Sequence, residues 1–174
     1  MKGEMGMDFI IRPIKISDAS DINEIRIQDG VRENTLGIIT ETVMKSENFI
    51  RNLDSNSHQL VAEVQGKVVG VAGLTIMKNP RMKHSADFGI SVRREYQGQG
   101  IGRKLVEKII DLADNWLMLI RIELGVLEGN ERAVNLYKSL GFEIEGKKKY
   151  SIVRNGKYVD EYIMARYNIP QQFK

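Results

Sequence analysis

The chain predicts an α/β (α+β) fold in the order βααβββαβαββ, with a central mixed, mostly antiparallel seven-stranded sheet and four helices. Three observations carry that expectation. A cleanly alternating strand, His84 to Val92, leads into the glycine-rich segment Gln97-Gly98-Gln99-Gly100-Ile101-Gly102 and then into an amphipathic helix. Another strand, Arg121 to Leu127, follows that helix, and a strand–helix–strand unit closes right-handed with its two strands parallel. Finally, Gln65-Gly66 and Asn155-Gly156 each sit between two β-rich runs, a signal of tight antiparallel hairpins.

Each element has a local cause. Phe9 to Ile14 reads as a first strand closed by Arg12-Pro13, and Ser17 or Asp18 caps a helix that turns Ile22 and Ile25 inward. After the polar loop Glu33-Asn34-Thr35-Leu36-Gly37, a second helix is expected from Glu41 to Leu53, with Val43, Ile50 and Leu53 on its buried face. Gln59 to Val64 and Lys67 to Met77 form the first hairpin. In the third strand Ala86, Phe88, Ile90 and Val92 share one face, and Ser85, Asp87, Gly89 and Ser91 the other. The long helix beginning near Gly100 presents Leu105, Val106, Ile109, Ile110, Leu112, Ala113, Trp116 and Leu117 to the sheet. A short helix, Glu131 to Leu140, ends on Gly141 as a C′ cap, and strands from Phe142 to Val153 and Lys157 to Tyr167 complete the order. One domain is expected over residues 1–174, with a core spanning about 8–167.

Composition removes several chemistries. With no cysteine there is no disulfide, cysteine nucleophile or thiolate metal site, which fits a reducing cytoplasm as the expected location. Two histidines, His58 and His84, with no cysteine beside them do not make a metal centre, so no metal is expected. Met1 to Asp8 lacks the apolar core of a signal peptide and no run approaches a membrane span, so no membrane partner is expected. The net charge of +3 suits a polyanionic ligand. Its basic residues are scattered apart from Lys147-Lys148-Lys149, with no aromatic interleaving to stack bases, and no nucleic-acid partner is expected.

The glycine segment carries the functional signal. Gly98, Gly100 and Gly102 let the backbone approach a ligand closely, and the helix that starts there offers unpaired N–H groups and the positive end of its dipole, a combination suited to pyrophosphate. A Walker loop needs Lys-Ser or Lys-Thr after its last glycine, but Arg103, Lys104 and Leu105 follow Gly102. A dinucleotide fingerprint started at Gly98 needs glycine where Arg103 stands. Gln97, Gly100 and Gly102 do fit Gln-x-x-Gly-x-Gly, and with Asn130, Ala133, Leu136, Tyr137, Gly141 and Phe142 they resemble the GNAT superfamily of acyl-coenzyme-A-dependent N-acetyltransferases along nearly the whole chain.

That resemblance implies acetyl-coenzyme A as cofactor, with coenzyme A as product. Gln97, Gly98, Gln99, Gly100, Ile101, Gly102 and Arg103 would hold its pyrophosphate; Ile90, Ser91 and Val92 would pair with its pantetheine arm, Val92 also donating to the oxyanion; Asn135 and Lys138 are assigned to the cofactor as well. Tyr137 would protonate the departing thiolate, and Asn130 would hold the cofactor arm and an active-site water. Asp87, on the polar face of its strand, is the candidate base, because an ammonium group has no lone pair; it could instead be a surface aspartate paired with an arginine such as Arg81, or partner His84. The segment Gly89-Ile90-Ser91-Val92-Arg93 lacks the closing glycine of a nucleophile elbow, leaving direct transfer to an amine.

Within the superfamily the chain is similar to a bacterial branch of L-amino-acid N-acetyltransferases, through residues 84–90, 114–117, 121–124 and 154–160. The small-molecule amine would then be a free amino acid, met by Arg32 at its carboxylate and Glu33 at its ammonium, with Asn34 and the final hairpin near Tyr150 and Tyr162 completing the acceptor side. Polyamine acetylation, N-terminal acetylation of a ribosomal protein and a non-catalytic acyl-coenzyme-A sensor stay open as alternatives, as does assembly into a homodimer.

Overall fold

The computed structural model describes residues 8–171. The stretch Met1 to Met7, read as lacking a signal core, lies outside the described residues. Seven strands form one sheet in the order β1-β2-β3-β4-β5-β7-β6: β1 (Ile10–Pro13), β2 (Ser57–Val64), β3 (Lys67–Ile76), β4 (Ser85–Val92), β5 (Arg121–Leu127), β6 (Glu143–Arg154) and β7 (Lys157–Tyr167). Four α-helices, α1 (Ala19–Ile27), α2 (Val43–Arg51), α3 (Ile101–Asn115) and α4 (Glu131–Ser139), complete the expected order among the described residues. Every neighbouring pair of strands is antiparallel except β4 and β5.

The two hairpin dipeptides do what their chemistry requires. Gln65 and Gly66 have φ of 49° and 82°, Asn155 and Gly156 51° and 75°, so both central residues of each turn are left-handed and match the twist of the strands they join. On one face of the sheet the main core joins Ile101, Leu105, Val106, Ile109 and Ala113 of α3 to Ala72, Leu74, Ala86 and Phe88 of β3 and β4 and to Ile122, Leu124 and Met164 of β5 and β7. On the other face α1 packs Ile22 and Ile25 against Val61 and Val68.

Two packing expectations are corrected. Trp116 is 77% exposed, because α3 ends at Asn115 and Trp116 is its C-cap, where the helical period no longer sets the direction of the side chain. In α2 only Ser46 is buried and Val43 is exposed; the helix begins at Val43, two residues later than expected, packs Ile50 as expected against the Ile22, Ile25 and Val31 cluster, and lays Lys45, Ser46 and Phe49 along a cleft. Glu41 stays outside the helix as a buried counter-ion of Arg26 (Nε to Oε2, 2.6 Å), and that hydrogen bond holds its carboxyl at about 2.

Candidate active site

The sheet opens at its one parallel pairing. β4 and β5 are paired only over Ser85–Asp87 and Arg121–Glu123, and beyond these the two strands diverge. Residues 88–92 therefore pair only with β3, and residues 124–127 only with β7, which leaves two backbone edges facing one cleft of about 840 Å³. Its lining includes Phe88 to Val92 of β4 and Leu124 to Leu127 of β5.

At the carboxyl end of β4 the glycine loop bounds this cleft. Gly98 and Gly100 have φ of +77° and +84°, and Gly100 is the N-cap of α3. The first helical bond of α3 runs from Lys104 N–H to Gly100 O at 3.0 Å, so the N–H groups of residues 98–103 have no acceptor among the described residues. A Cβ built on Gly98 or Gly100 meets nothing within 4 Å, so the loop borders open space where a ligand can reach its amides. Gln97 fixes the loop by donating from Nε2 to Val92 O at 2.8 Å while its Oε1 accepts from Arg132. Six free amides, the helix dipole and the guanidinium groups of Arg103 and Arg132 make a site of the chemistry pyrophosphate needs.

Across the cleft, α4 is anchored at both ends. Asn130 caps it by accepting Ala133 N–H at 3.3 Å. At the other end Gly141 N–H bonds Lys138 O at 3.1 Å and Phe142 N–H bonds Tyr137 O at 3.0 Å, with Gly141 at φ +88°; this is a Schellman closure, and its apolar contact is the packing of Phe142 on Tyr137, ring centroids 5.6 Å apart. The Tyr137 ring also meets Phe88 edge-on at 6.2 Å. Tyr137 is thus 6% exposed yet lines the cleft, and burial alone pushes its phenol well above the ordinary tyrosine value.

The same cleft continues onto the opposite face of the sheet as a second chamber. Asp87 lines it and is held above the usual aspartate range by burial first and by the neighbouring Glu123 carboxylate second. Among the described residues it makes no ion pair with Arg81 or His84. Gln59 and Glu161 come from β2 and β7 and line the same space, while the helical wall presents Phe49, Arg26 and Lys45. Both cations are paired with Glu41, Lys45 at 2.5 Å. Two positive charges against one carboxylate leave that wall with a surplus of one.

The acetyltransferase (GNAT) family pattern matches residues 27–142. The chain belongs to the GNAT acetyltransferase family. It is 38% identical over 159 residues to the L-amino acid N-acetyltransferase AaaT of Escherichia coli K12, covering 91% of this chain and 98% of that protein. It is 31% identical over 121 residues to the N-alpha-acetyltransferase RimI of Mycobacterium tuberculosis, 68% of this chain and 72% of the relative. A spermidine N-acetyltransferase from Vibrio cholerae, solved in complex with CoA and spermine, superposes with a TM-score of 0.81 at 25% identity, over 91% of this chain and 95% of the other. The resemblance read from the Gln97–Gly102 and Asn130–Phe142 signatures therefore holds, and the chain is an acetyl-transferring enzyme.

In this GNAT acetyltransferase the expected cofactor residues divide. Ile90, Ser91, Val92, Gln97, Gly98, Gly100, Gly102, Arg103, Asn130 and Tyr137 line the cleft. Gln99 instead donates to Glu95 O at 2.8 Å, and the Ile101 side chain is fully buried in the core, leaving only its free N–H at the loop. Asn135 and Lys138 point away as exposed residues of α4; Arg132, Ala133 and Leu136 occupy its cleft-facing side.

Of Arg32, Glu33, Asn34 and Tyr150, expected to meet the acceptor, Asn34 alone lines the cleft, beside Val31 and Thr35 of the same loop. Arg32 is turned to Ile27 O (2.9 Å) and Asp29 (2.5 Å), and Glu33 accepts Gly30 N–H at 2.6 Å and meets Arg32 at 3.3 Å, so the two expected substrate charges satisfy each other and the local backbone. Tyr150 is 75% exposed at a left-handed position within the β6 irregularity, where its N–H bonds Asp160 (2.9 Å), and it lies outside the cleft lining. Among the described residues no helix is long and apolar enough to cross a membrane, and no cluster of His, Asp and Glu has the makings of a metal site.

Proposed function

We propose that the chain transfers the acetyl group of acetyl-coenzyme A to the α-amine of a free L-amino acid. The observation that carries the acceptor class is the opposed charge of the second chamber: Asp87 and Glu161 on the sheet wall, Arg26 and Lys45 on the helical wall, with Phe49, Ile22 and Val71 between. A zwitterion with an apolar side chain matches that arrangement, with its ammonium toward the sheet and its carboxylate toward Arg26 and Lys45. The identity to an L-amino acid N-acetyltransferase over 91% of the chain supports the same reading.

The cradle fits coenzyme A: the amides of residues 98–103 and the Arg103 and Arg132 side chains take the pyrophosphate, and the unpaired edges of β4 and β5 take the pantetheine amides. The bound thioester supplies an activated acetyl group. Asp87 accepts a proton from the acceptor's ammonium, directly or through water, and frees the lone pair that attacks the acetyl carbon. The raised affinity of Asp87 for protons suits a base, and backbone N–H groups near Val92 offset charge on the carbonyl oxygen. As the carbon–sulfur bond breaks Tyr137 would give its proton to the sulfur, the second proton shed by the attacking nitrogen would return to the Tyr137 oxygen through water, and Asn130 would hold the start of α4 against the cofactor arm. These are local acid–base steps.

A polyamine acceptor is the second reading, favoured by the acidic sheet wall and by the spermine-bound neighbour. It leaves the surplus positive charge of Arg26 and Lys45 over Glu41 unmatched. Release of free coenzyme A thiol, measured against free amino acids, polyamines and peptides with free N-termini, is expected to be fastest with apolar amino acids. A kcat/KM higher for spermidine or for a peptide overturns the amino-acid assignment.

A further inference from the structure

Glu161 stands on β7, opposite Leu127 of β5, yet its side chain reaches back along the sheet to Gly125. A Cβ built on Gly125 would overlap Oε1 of Glu161 and stand 2.7 Å from Cδ, so the carboxylate occupies the space that any other residue at 125 would fill. That place matters. Gly125 is two residues beyond Glu123, the last β5 residue paired with β4, and so lies at the start of the opening whose other lip is Gly89. Ser151 Oγ donates to Oε2 at 3.2 Å and Lys148 Nζ is 3.7 Å away, which steadies the carboxylate from the β6 side while it faces the cleft on the other. Its side chain is 18% exposed, desolvated enough to make a charge partner worth having.

We propose that Glu161, seated in the notch left by Gly125, is a specificity-determining residue that binds the acceptor's ammonium and aims its nitrogen across the opening toward Asp87 and the acetyl group. Gly125 acts through it: a positioning residue whose missing side chain makes the seat. This rests on the amine-acetyltransferase reading and names the group that selects a cationic acceptor. Gln59 forms a parallel case, since a Cβ on Gly73 would overlap its amide, but Gln59 is neutral and offers an ammonium only a weaker contact.

The test is a double-mutant cycle in steady-state kinetics with the best amine from the acceptor screen, amino acid, polyamine or peptide. Glu161→Gln is expected to raise KM for the amine about tenfold or more, with kcat reduced less and KM for acetyl-coenzyme A unchanged. Gly125→Ala should reproduce that split by unseating the carboxylate, and in the Glu161→Ala background it should cost nothing further, because the space it fills is then vacant. Circular dichroism confirms that each variant folds, and Glu161→Asp, which keeps the charge but shortens the reach, gives a second handle if Gly125→Ala does not. An amine KM that is unmoved in Glu161→Gln, or a Gly125→Ala effect that adds fully to Glu161→Ala, overturns the proposal. The same KM shift seen with a polyamine as best acceptor supports it while overturning the amino-acid reading. Absence of turnover with every amine overturns both.

Discussion

Replacing Tyr137 by phenylalanine removes one hydroxyl and nothing else. The ring packs edge-on against Phe88 and tilted against Phe142, and those contacts survive. No partner for the hydroxyl is present among the described residues, and burial is the only influence on its acidity. Its loss should therefore change stability by no more than about 0.5 kcal/mol, whereas Tyr137→Ala, which empties the space between two rings, should cost about 3–5 kcal/mol. Catalysis behaves differently: a positioned general acid contributes about 10²–10⁴ in rate, or about 2.7–5.5 kcal/mol at the transition state. The expected outcome is a kcat at least about a hundredfold lower, with unchanged Tm and unchanged coenzyme A affinity by calorimetry. Because burial raises the phenol above its ordinary value, the residue stays protonated well past pH 9, so the wild-type rate should show no alkaline decline from tyrosine ionisation between pH 6 and 10. A Tyr137→Phe enzyme with wild-type kcat, or a wild-type alkaline limb that disappears in the variant, refutes the reasoning.

Three further outcomes follow from the geometry. Gly100→Val should weaken acetyl-coenzyme A binding at least about tenfold by calorimetry, since φ of +84° disfavours any side chain and a Cβ there points into open space beside the amides; an unchanged affinity removes the loop from the phosphate site. Asp87→Asn should lower the rate most at low pH, where the acceptor is protonated, and recover toward the amine's own pKa. Asp87 is held above its unfolded value, so its ionised form opposes folding at pH above that raised value; the variant should be no less stable than wild type at pH 7–8, and a lower Tm there counts against that account of Asp87. Arg93 is buried, with Nε on Val68 O at 3.0 Å and Nη2 on Asp21 and Glu24 at 3.1 and 2.8 Å; Arg93→Ala should cost about 3 kcal/mol and lower Tm by roughly 6–12 °C, which a melting curve checks.

The parts of the molecule that were legible in the sequence are those whose cause is local. Gln65-Gly66, Asn155-Gly156, the Gln97–Gly102 loop and the Asn130–Gly141 helix each declare themselves through backbone geometry that only a few residue types accept, and the structure forms each of them as expected. Asp87 and Tyr137 are legible as cleft-lining residues because they share short elements with those signals. The chamber proposed for the acceptor is opaque in the sequence for the opposite reason. Arg26, Gln59 and Glu161 meet there from α1, β2 and β7, and only tertiary register decides that Glu161 turns toward Gly125 and not toward solvent. Arg32 and Glu33 looked suited to a zwitterion, but adjacent opposite charges on a tight turn have each other and the backbone within reach. A usable signal did exist: Gly73 and Gly125 interrupt apolar strands at places where no turn calls for glycine, which marks the close approach of another group.

Protein sheets usually keep unsatisfied edges at their rims, where they must be blunted against pairing with other chains. The divergence of β4 from β5 after three residue pairs puts two such edges back to back inside the molecule, flanked by the glycine loop and the Asn130 cap. The sheet thereby keeps an edge's readiness to pair with an extended ligand while holding that edge within the cleft and away from its rim.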